Sequence, residues 1–238
     1  MIQQYQLKEK LPVSVLTRLQ QGLQGKRDDN KESFPQSSTH PVFDTAQTIL
    51  VGNNELAVEA AANKAKELYY HPIILGTQIV GEAKEIANVY IAMARYLQQQ
   101  SQAKHKNPYA MAPSLPVALI AGGEMTVSLS SMSGKGGRNQ ELALSAALQM
   151  ESMGMRNVVL ASVGTDGTDG PTDAAGAIVD GTTVIGTVST AQDALRYHNA
   201  YAYFDASFSS RSHGPLIKTG PTGTNVADVF VVLVHGIS

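Results

Sequence analysis

Three carboxylates lie within eight residues in one loop of the second half of the chain. Asp166, Asp169 and Asp173 alternate there with glycines and hydroxyl side chains, directly after an apolar run that ends at Val163. Oxygen-rich loops of this kind suit Mg²⁺, which prefers one or two carboxylates together with substrate phosphates. An aspartate there is also placed to accept a proton from a substrate hydroxyl. A polar surface turn would use the same residue types, but their density at a strand end favours function.

A second stretch, around Arg138, suits the binding of an anion. Gly136 and Gly137 stand just before Arg138 and a predicted helix. Glycines let backbone N–H groups approach an anion closely, and a helix N-terminus leaves unpaired N–H donors. Arg138 at that position is able to clamp a phosphate or carboxylate with two parallel hydrogen bonds. A tight turn with a solvated Arg138 is the structural alternative, and the spacing of a Walker A loop is absent.

A third stretch, residues 219–225, is rich in glycine and threonine and leads into an apolar run. Small and hydroxyl residues permit close approach to a ligand. Taken alone, the stretch is better explained as a long connecting loop, although loops of this length in compact domains are often functional. His198, beside Asn199, is a weaker signal, because a lone histidine is more often a surface or capping residue than a catalyst. The same loop includes His213-Gly214-Pro215 before this stretch.

The elements that must position these loops alternate between strand and helix. Short apolar runs predict strands at 48–51, 72–75, 116–121, 157–163 and 228–234, with weaker signals at 125–129, 176–188 and 200–204. Helical patterns cover 55–68, 82–97, 141–153 and 189–197. Strands that alternate with helices predict an α/β fold with a parallel sheet. The run at 125–129 is placed to pair with the strand at 116–121.

Composition narrows the class of protein. The chain is 43% hydrophobic and 16% charged, which is ordinary for a globular protein, and its net charge of −2 gives no reason to expect nucleic acid or an anionic membrane as partner. The absence of cysteine excludes disulfides, thiolate metal sites and a cysteine nucleophile. No apolar run approaches the ~20 residues that span a bilayer, and no signal core is visible, so we predict a cytoplasmic protein.

In this order and spacing, the loops resemble the C-terminal portion of type II glycerate kinases, called the MOFRL domain. The strings that carry the resemblance are Gly122-Gly-Glu, residues 136–144, residues 164–177 and residues 219–226. The resemblance is close over 117–233, and residues 45–97 are similar to the last βαβα stretch of the family's N-terminal domain. It implies an α/β fold with a partial, Rossmann-like parallel-sheet remnant at 1–100, a linker at 101–115 and a MOFRL domain at 116–238.

The family transfers the γ-phosphoryl group of ATP to D-glycerate, in a cleft between two domains. The resemblance therefore implies D-glycerate as substrate, with ATP and Mg²⁺, and leaves the oligomeric state open. We expect Arg138, Asp166 and Asp169 to be catalytic, with the two aspartates holding Mg²⁺ or receiving the glycerate proton. The expected substrate- and phosphate-binding residues are Gly122, Gly123, Glu124, Gly136, Gly137, Asn139, Thr165, Thr222, Thr224 and Asn225.

The chain also departs from the family. Members begin with a long stretch that includes a glycine-rich segment and a functional lysine, and this chain has no counterpart to it. We therefore expect a fragment, truncated form or degenerate protein that lacks part of the active site and is inactive or impaired. Met125 stands where a threonine is usual, which removes a hydroxyl ligand.

Two other functions stay open. One is a non-catalytic ligand-binding or regulatory fragment. The other is a hydroxypyruvate reductase, which would need the dinucleotide fingerprint Gly-x-Gly-x-x-Gly after a strand, and we find none.

Overall fold

A computed structural model describes residues 6–26, 46–47, 49–102, 114–129, 133–208 and 214–236. The chain divides into two compact units, 1–51 and 52–238. The first unit contains a 3-10 turn at Leu7–Glu9 and helix α1 at Val13–Leu23. The strand predicted at 48–51 is wrong for residues 49–51, which form no strand, and Thr48 lies outside the described residues. An apolar run becomes a strand only where a neighbour supplies its hydrogen bonds, and the run alone does not reveal that neighbour.

The described residues of the second unit form one six-stranded sheet with helices on both faces. The strands are β1 (His71–Ile79), β2 (Val117–Gly123), β3 (Val158–Gly164), β4 (Gly176–Asp180), β5 (Leu216–Ile217) and β6 (Asp228–Val234). The helices are α2 (Asn54–Glu67), α3 (Ala83–Gln102), α4 (Arg138–Ser152), α5 (Val188–Arg196) and α6 (Ala200–Ser207). The predicted α/β class is confirmed. No helix of the described ranges is long and apolar enough to cross a membrane.

The sheet is mostly antiparallel. Its strand order is β1-β2-β6-β3-β4-β5, and the parallel arrangement that was predicted is found between β1 and β2. The pairs β2–β6, β6–β3, β3–β4 and β4–β5 are antiparallel. The strand at 228–234 therefore inserts between β2 and β3 in the opposite direction, which brings its first residue to the edge where those two strands end.

The core has two parts, one on each face of the sheet. On one face α2 packs on β2, with Val58, Ala62 and Ala65 against Ala118 and Ile120. The other face is covered by α3, α4, α5 and α6. Because β2 lies between both layers, all seven of its residues are buried, whereas β3 and β6 alternate buried and half-buried residues.

Two predicted strands differ from the structure. Residues 200–204 lie in α6, because Ala200, Tyr203 and Phe204 are buried together at the i, i+3, i+4 spacing of a helix face. In the run at 125–129, Thr126 forms a parallel bridge with Glu82 rather than pairing with β2.

The predicted domain division stays a prediction. Strand β1 and helix α3 pack in the same compact unit as the second half of the chain. Helix α3 extends to Gln102, and residues 103–113 of the predicted linker lie outside the described residues.

Candidate active site

Three strand ends meet at one edge of the sheet. Strands β2 and β3 end at Gly123 and Gly164, and β6 begins at Asp228. In the register of the sheet, Asp228 is opposite Gly123 on one side and opposite Gly164 on the other. A buried carboxylate is thereby placed between two strand ends that carry no side chains.

Asp228 fixes the guanidinium of Arg138, the first residue of α4. Its Oδ2 accepts a hydrogen bond from Arg138 Nε at 2.5 Å, and its Oδ1 accepts one from Nη2 at 3.0 Å. Oδ1 also accepts from Asn139 Nδ2 at 3.0 Å. Asp228 is fully buried while one third of the Arg138 side chain is exposed. This paired carboxylate raises the pKa of Arg138, and Nη1 has no partner among the described residues.

Asp169 uses all of its acceptor capacity on the first turn of α4. Its Oδ1 accepts from the backbone N and the Nδ2 of Asn139, at 3.0 and 3.2 Å. Its Oδ2 accepts from the backbone N and the Nε2 of Gln140, at 2.9 and 3.0 Å. Burial raises the pKa of Asp169, while these four donors act in the opposite direction. A carboxylate offers about four lone-pair positions, so we expect Asp169 to hold the first turn of α4, which carries Arg138, rather than to bind a metal ion or a proton.

Glycines let the three predicted loops touch. A Cβ on Gly137 would overlap Asp169, and one on Gly170 would overlap the carbonyl oxygen of Gly136. Gly167 has a φ of +89°, and a Cβ added to it would overlap the carbonyl oxygen of Gly220. The loops around 136–138, 164–170 and 219–225 are therefore in direct contact.

Asp166 lies beside the Arg138–Asp228 pair. Its Oδ1 and the Oδ1 of Asp228 both lie within 3.5 Å of the position that a Cβ on Gly164 would take. Among the described residues, the one donor to the Asp166 carboxylate is the backbone N of Thr168, which reaches Oδ1 at 3.0 Å. Asp166 Oδ2 is thus available to a ligand or a cation.

Several predicted binding residues instead hold the loops together. Thr165 Oγ1 donates to the Ala227 carbonyl at 2.7 Å and accepts from Val226 N at 2.8 Å. Thr222 Oγ1 donates to the Thr165 carbonyl at 2.5 Å, and Asn225 Oδ1 accepts from Ala227 N at 3.0 Å. We therefore expect these three side chains to position backbone rather than to contact substrate.

The remaining predicted residues border the same edge. Asn54, which begins α2, donates from Nδ2 to the Val226 carbonyl at 2.8 Å and to the Asp228 carbonyl at 2.9 Å. Gly122 permits this, because a Cβ there would overlap the Asn54 amide. Glu124 Oε1 lies 3.8 Å from Arg138 Nη2 and is exposed. Thr224 is exposed, and its hydroxyl has no partner in the part of the chain that the structure describes.

A cavity of about 240 Å³ opens next to Arg138. Its polar lining includes Arg138, Glu141 and His198, its apolar wall includes Met125 and Val127, and glycines complete it. The backbone N–H groups of Gly136 and Gly137 have no acceptor among the described residues.

The sequence analysis did not identify Asp228, Glu141 or the position of His198 as parts of this site. Asp228 had a visible signal, because it is a charged residue at the start of an apolar strand.

The donor set fits a magnesium–nucleotide better than a metal bound by protein alone. Within the described ranges, no group of three or more His, Asp or Glu side chains is placed to hold a metal ion. Mg²⁺ needs one or two carboxylates when phosphates supply further oxygens. Asp166 Oδ2 and the exposed carboxylate of Glu124, which lies 3.8 Å from Arg138 Nη2, are two such oxygen donors at this edge. The N–H groups of the glycine loop suit phosphate.

The chain is similar to known proteins over most of its length. Residues 117–228 match the model of the MOFRL family. The chain is 36% identical over 234 residues to a glycerate 2-kinase of Pyrococcus horikoshii, covering 97% of this chain and 47% of that protein. It is 40% identical over 185 residues to a D-glycerate 2-kinase of Thermotoga maritima, covering 78% and 41%. A mouse glycerate kinase is 33% identical, with 97% and 47% covered.

Two solved structures are also similar to this chain. A crystal structure of glycerate kinase (EC 2.7.1.31) from Thermotoga maritima matches with a TM-score of 0.67 and 37% identity, over 79% of this chain and 42% of that one. The PH0495 protein of Pyrococcus horikoshii matches with a TM-score of 0.67 and 32% identity, over 99% and 49%. The chain spans about half the length of these relatives. Residues 117–228 therefore form a domain of the MOFRL family, and most of the chain is similar to about half of each of these glycerate kinases.

Proposed function

We propose that this chain takes part in the transfer of the γ-phosphoryl group of ATP to a hydroxyl of D-glycerate. The observation that supports it best is the Arg138 guanidinium, fixed by the buried Asp228 at a strand-end edge where unpaired N–H groups and the Asp166 carboxylate also lie. Phosphoryl transfer requires positioning and charge neutralisation more than covalent chemistry, and these groups supply both.

Each group has a distinct role in this proposal. Arg138 binds the transferring phosphoryl group or the glycerate carboxylate and offsets charge that develops in the transition state. The Gly136 and Gly137 N–H groups bind phosphate oxygens. Asp166 and Glu124 supply carboxylate oxygens for Mg²⁺, which when bound neutralises charge on the phosphates. Asp169 and Asp228 keep the first turn of α4 and its arginine in position.

Relatives named glycerate 2-kinase favour the 2-hydroxyl as the acceptor. We propose a cytoplasmic setting, where ATP and small hydroxy acids are available. A non-catalytic binding fragment is the second candidate, because the chain spans about half the length of its relatives.

The test measures ADP release by the purified chain with ATP, Mg²⁺ and D-glycerate, beside calorimetric titrations of D-glycerate and of ATP. Release of ADP that depends on D-glycerate, with phosphoglycerate as the product, supports the kinase. Binding without ADP release supports the non-catalytic fragment and overturns the kinase for this chain. Hydroxypyruvate with NADH is assayed in parallel, and NADH oxidation would instead support the reductase.

A further inference from the structure

A buried carboxylate–imidazole pair forms part of the cavity beside Arg138. Glu141 Oε2 lies 2.9 Å from His198 Nδ1, and the side chains are 3% and 12% exposed. Glu141 stands one turn into α4 from Arg138, and both residues line the cavity with His198. His198 also lines a second cavity, together with residues at the start of α3 and in α5.

The surrounding backbone holds His198 in this place. Its φ of +51° is a left-handed conformation, which is uncommon for a side chain other than glycine. The loop that precedes α4 donates hydrogen bonds to both chain neighbours of His198. Gly134 N donates to the Tyr197 carbonyl at 2.7 Å, and Lys135 N donates to Asn199 Oδ1 at 2.9 Å.

The pairing leaves polar atoms for a ligand. Glu141 Oε1 is buried and has no partner among the described residues. The imidazole uses Nδ1 on Glu141, and Nε2 has no partner in the same ranges. A carboxylate that accepts from Nδ1–H fixes the tautomer in which Nε2 is an acceptor, as in serine hydrolase triads. Burial raises the pKa of Glu141 and so opposes its ionised form, whereas the hydrogen bond and charge of His198 act in the opposite direction.

We propose that His198, oriented by Glu141, contacts the acceptor hydroxyl of the substrate and accepts its proton during transfer. This rests on the proposed function. The hydroxyl oxygen forms a bond to the γ-phosphorus while the bond between that phosphorus and the β–γ bridging oxygen breaks, and ADP leaves. The hydroxyl proton moves to Nε2, and the resulting imidazolium, stabilised by Glu141, later releases it to solvent.

Charged groups other than Glu141 also face His198. Those that line one of its two cavities are Arg138 from α4, Glu82, Lys84 and Glu85 near the start of α3, and Arg196 from α5. Among the described acidic side chains, Glu141 is the one that pairs with a ring nitrogen of His198 within 4.0 Å. We therefore assign the orientation of the ring to Glu141.

The test uses the whole chain and the variants His198→Gln and Glu141→Gln. His71→Gln serves as the control, because His71 is exposed and pairs with Val117 at the far end of the sheet from the site. Thermal melting of each variant first establishes that it is folded. Removing a general base lowers kcat by roughly 10² to 10⁴-fold. We expect that loss for His198→Gln, with KM changed by a few-fold and the acid limb of the pH–rate profile gone. A smaller loss is expected for Glu141→Gln and none for His71→Gln.

A binding measurement separates this inference from the proposed function. The ring C2 proton resonance of His198, assigned by its absence in His198→Gln, should shift when D-glycerate saturates the wild-type chain. If ADP release occurs and the resonance does not move, or if His198→Gln keeps its rate and its acid limb, the role of His198 is wrong and the kinase stands. If no ADP is released, the kinase fails for this chain, and the resonance alone decides: movement supports the contact and a static signal overturns it.

Discussion

At the scale of single residues, the site is a set of charges whose positions are fixed by hydrogen bonds from distant parts of the chain. Arg138 is held by Asp228, which is 90 residues away in sequence and begins the central strand β6. Asp169 saturates the donors of Asn139 and Gln140 and so fixes the turn that carries Arg138. Such preorganisation lets an arginine stabilise developing charge without reorganising during the reaction.

Asp169→Asn tests whether this aspartate is structural. An amide at this position presents an NH₂ group to at least one helix donor, so a hydrogen bond to a charged acceptor is lost, at a cost of about 2 kcal/mol. We expect a lower free energy of unfolding by urea denaturation and an unchanged dependence of activity on Mg²⁺ concentration. Asp173→Asn is the control, because Asp173 is an exposed carboxylate of the same loop, paired with Lys218.

The result that would contradict this assignment is the reverse pattern. A variant with wild-type stability that needs much more Mg²⁺ would make Asp169 a metal ligand, as the sequence alone indicated.

At the scale of elements, the site depends on glycines that let three loops lie in direct contact. Strands β2 and β3 end at the edge where β6 begins, and the loops that follow or precede them contact one another over that edge. The contact between Gly167 and the Gly220 carbonyl joins the carboxylate loop to the threonine-rich loop. Loss of that contact would separate Asp166 from Thr222 N, which donates to the Asp166 carbonyl at 3.2 Å.

Gly167→Ala measures how much the loop contact contributes. Gly186→Ala is a matched control, because Gly186 has a similar φ of +77° and nothing lies within 4 Å of its added Cβ. We expect the control to cost about 1 kcal/mol from backbone strain alone. Gly167→Ala should cost clearly more in denaturant unfolding, because its Cβ also overlaps a backbone oxygen. Equal losses for the two variants would mean that the loops are not tightly joined.

Part of this arrangement was predictable from the sequence. The three loops, and the strand ends that carry two of them, follow from local residue types, since glycine, aspartate and apolar runs signal turns and buried strands. The pairing of Arg138 with Asp228 could not be predicted in this way. The two residues are 90 positions apart, and their contact depends on where β6 inserts in the sheet. The same dependence explains why residues 49–51 form no strand and why Ala200 and Tyr203 lie in a helix. The four hydrogen bonds to Asp169 were likewise not predictable, because the sequence shows a carboxylate but not its donors.

At the scale of the whole molecule, the site places buried acidic groups beneath a sheet edge, and this affects how stability depends on pH. Glu141 is almost fully buried on α4, and burial raises its pKa above the ordinary 4.5, with His198 acting in the opposite direction. A folded-state pKa above the unfolded value means that the stabilising contribution is present at low pH. It is lost as pH rises through the folded pKa.

Glu141→Gln should therefore change the pH dependence of stability. The amide stays neutral, so the free energy of unfolding of the wild type relative to this variant should fall as pH rises from about 4.5 towards neutrality. We expect the variant to be at least as stable as the wild type at neutral pH, measured by urea unfolding across the pH series. Glu59→Gln, at an exposed position of α2, is the control and should show little pH-dependent difference. A variant that becomes progressively less stable than the wild type with rising pH would contradict a raised pKa for Glu141.

The proposed kinase function depends above all on one assignment: that Arg138, fixed by Asp228, stabilises the charge of the phosphoryl group during transfer to D-glycerate. The decisive measurement is the rate of D-glycerate-dependent ADP release by Arg138→Ala beside the wild-type chain, at saturating ATP and Mg²⁺ and with the fold verified by thermal melting. Arginines that neutralise a transferring phosphoryl group contribute roughly 10³-fold or more to kcat. We predict a loss of that size, with Arg138→Lys recovering little of it, because an ammonium cannot bridge both oxygens of Asp228. A rate within about threefold of the wild type in Arg138→Ala would contradict this role of the arginine.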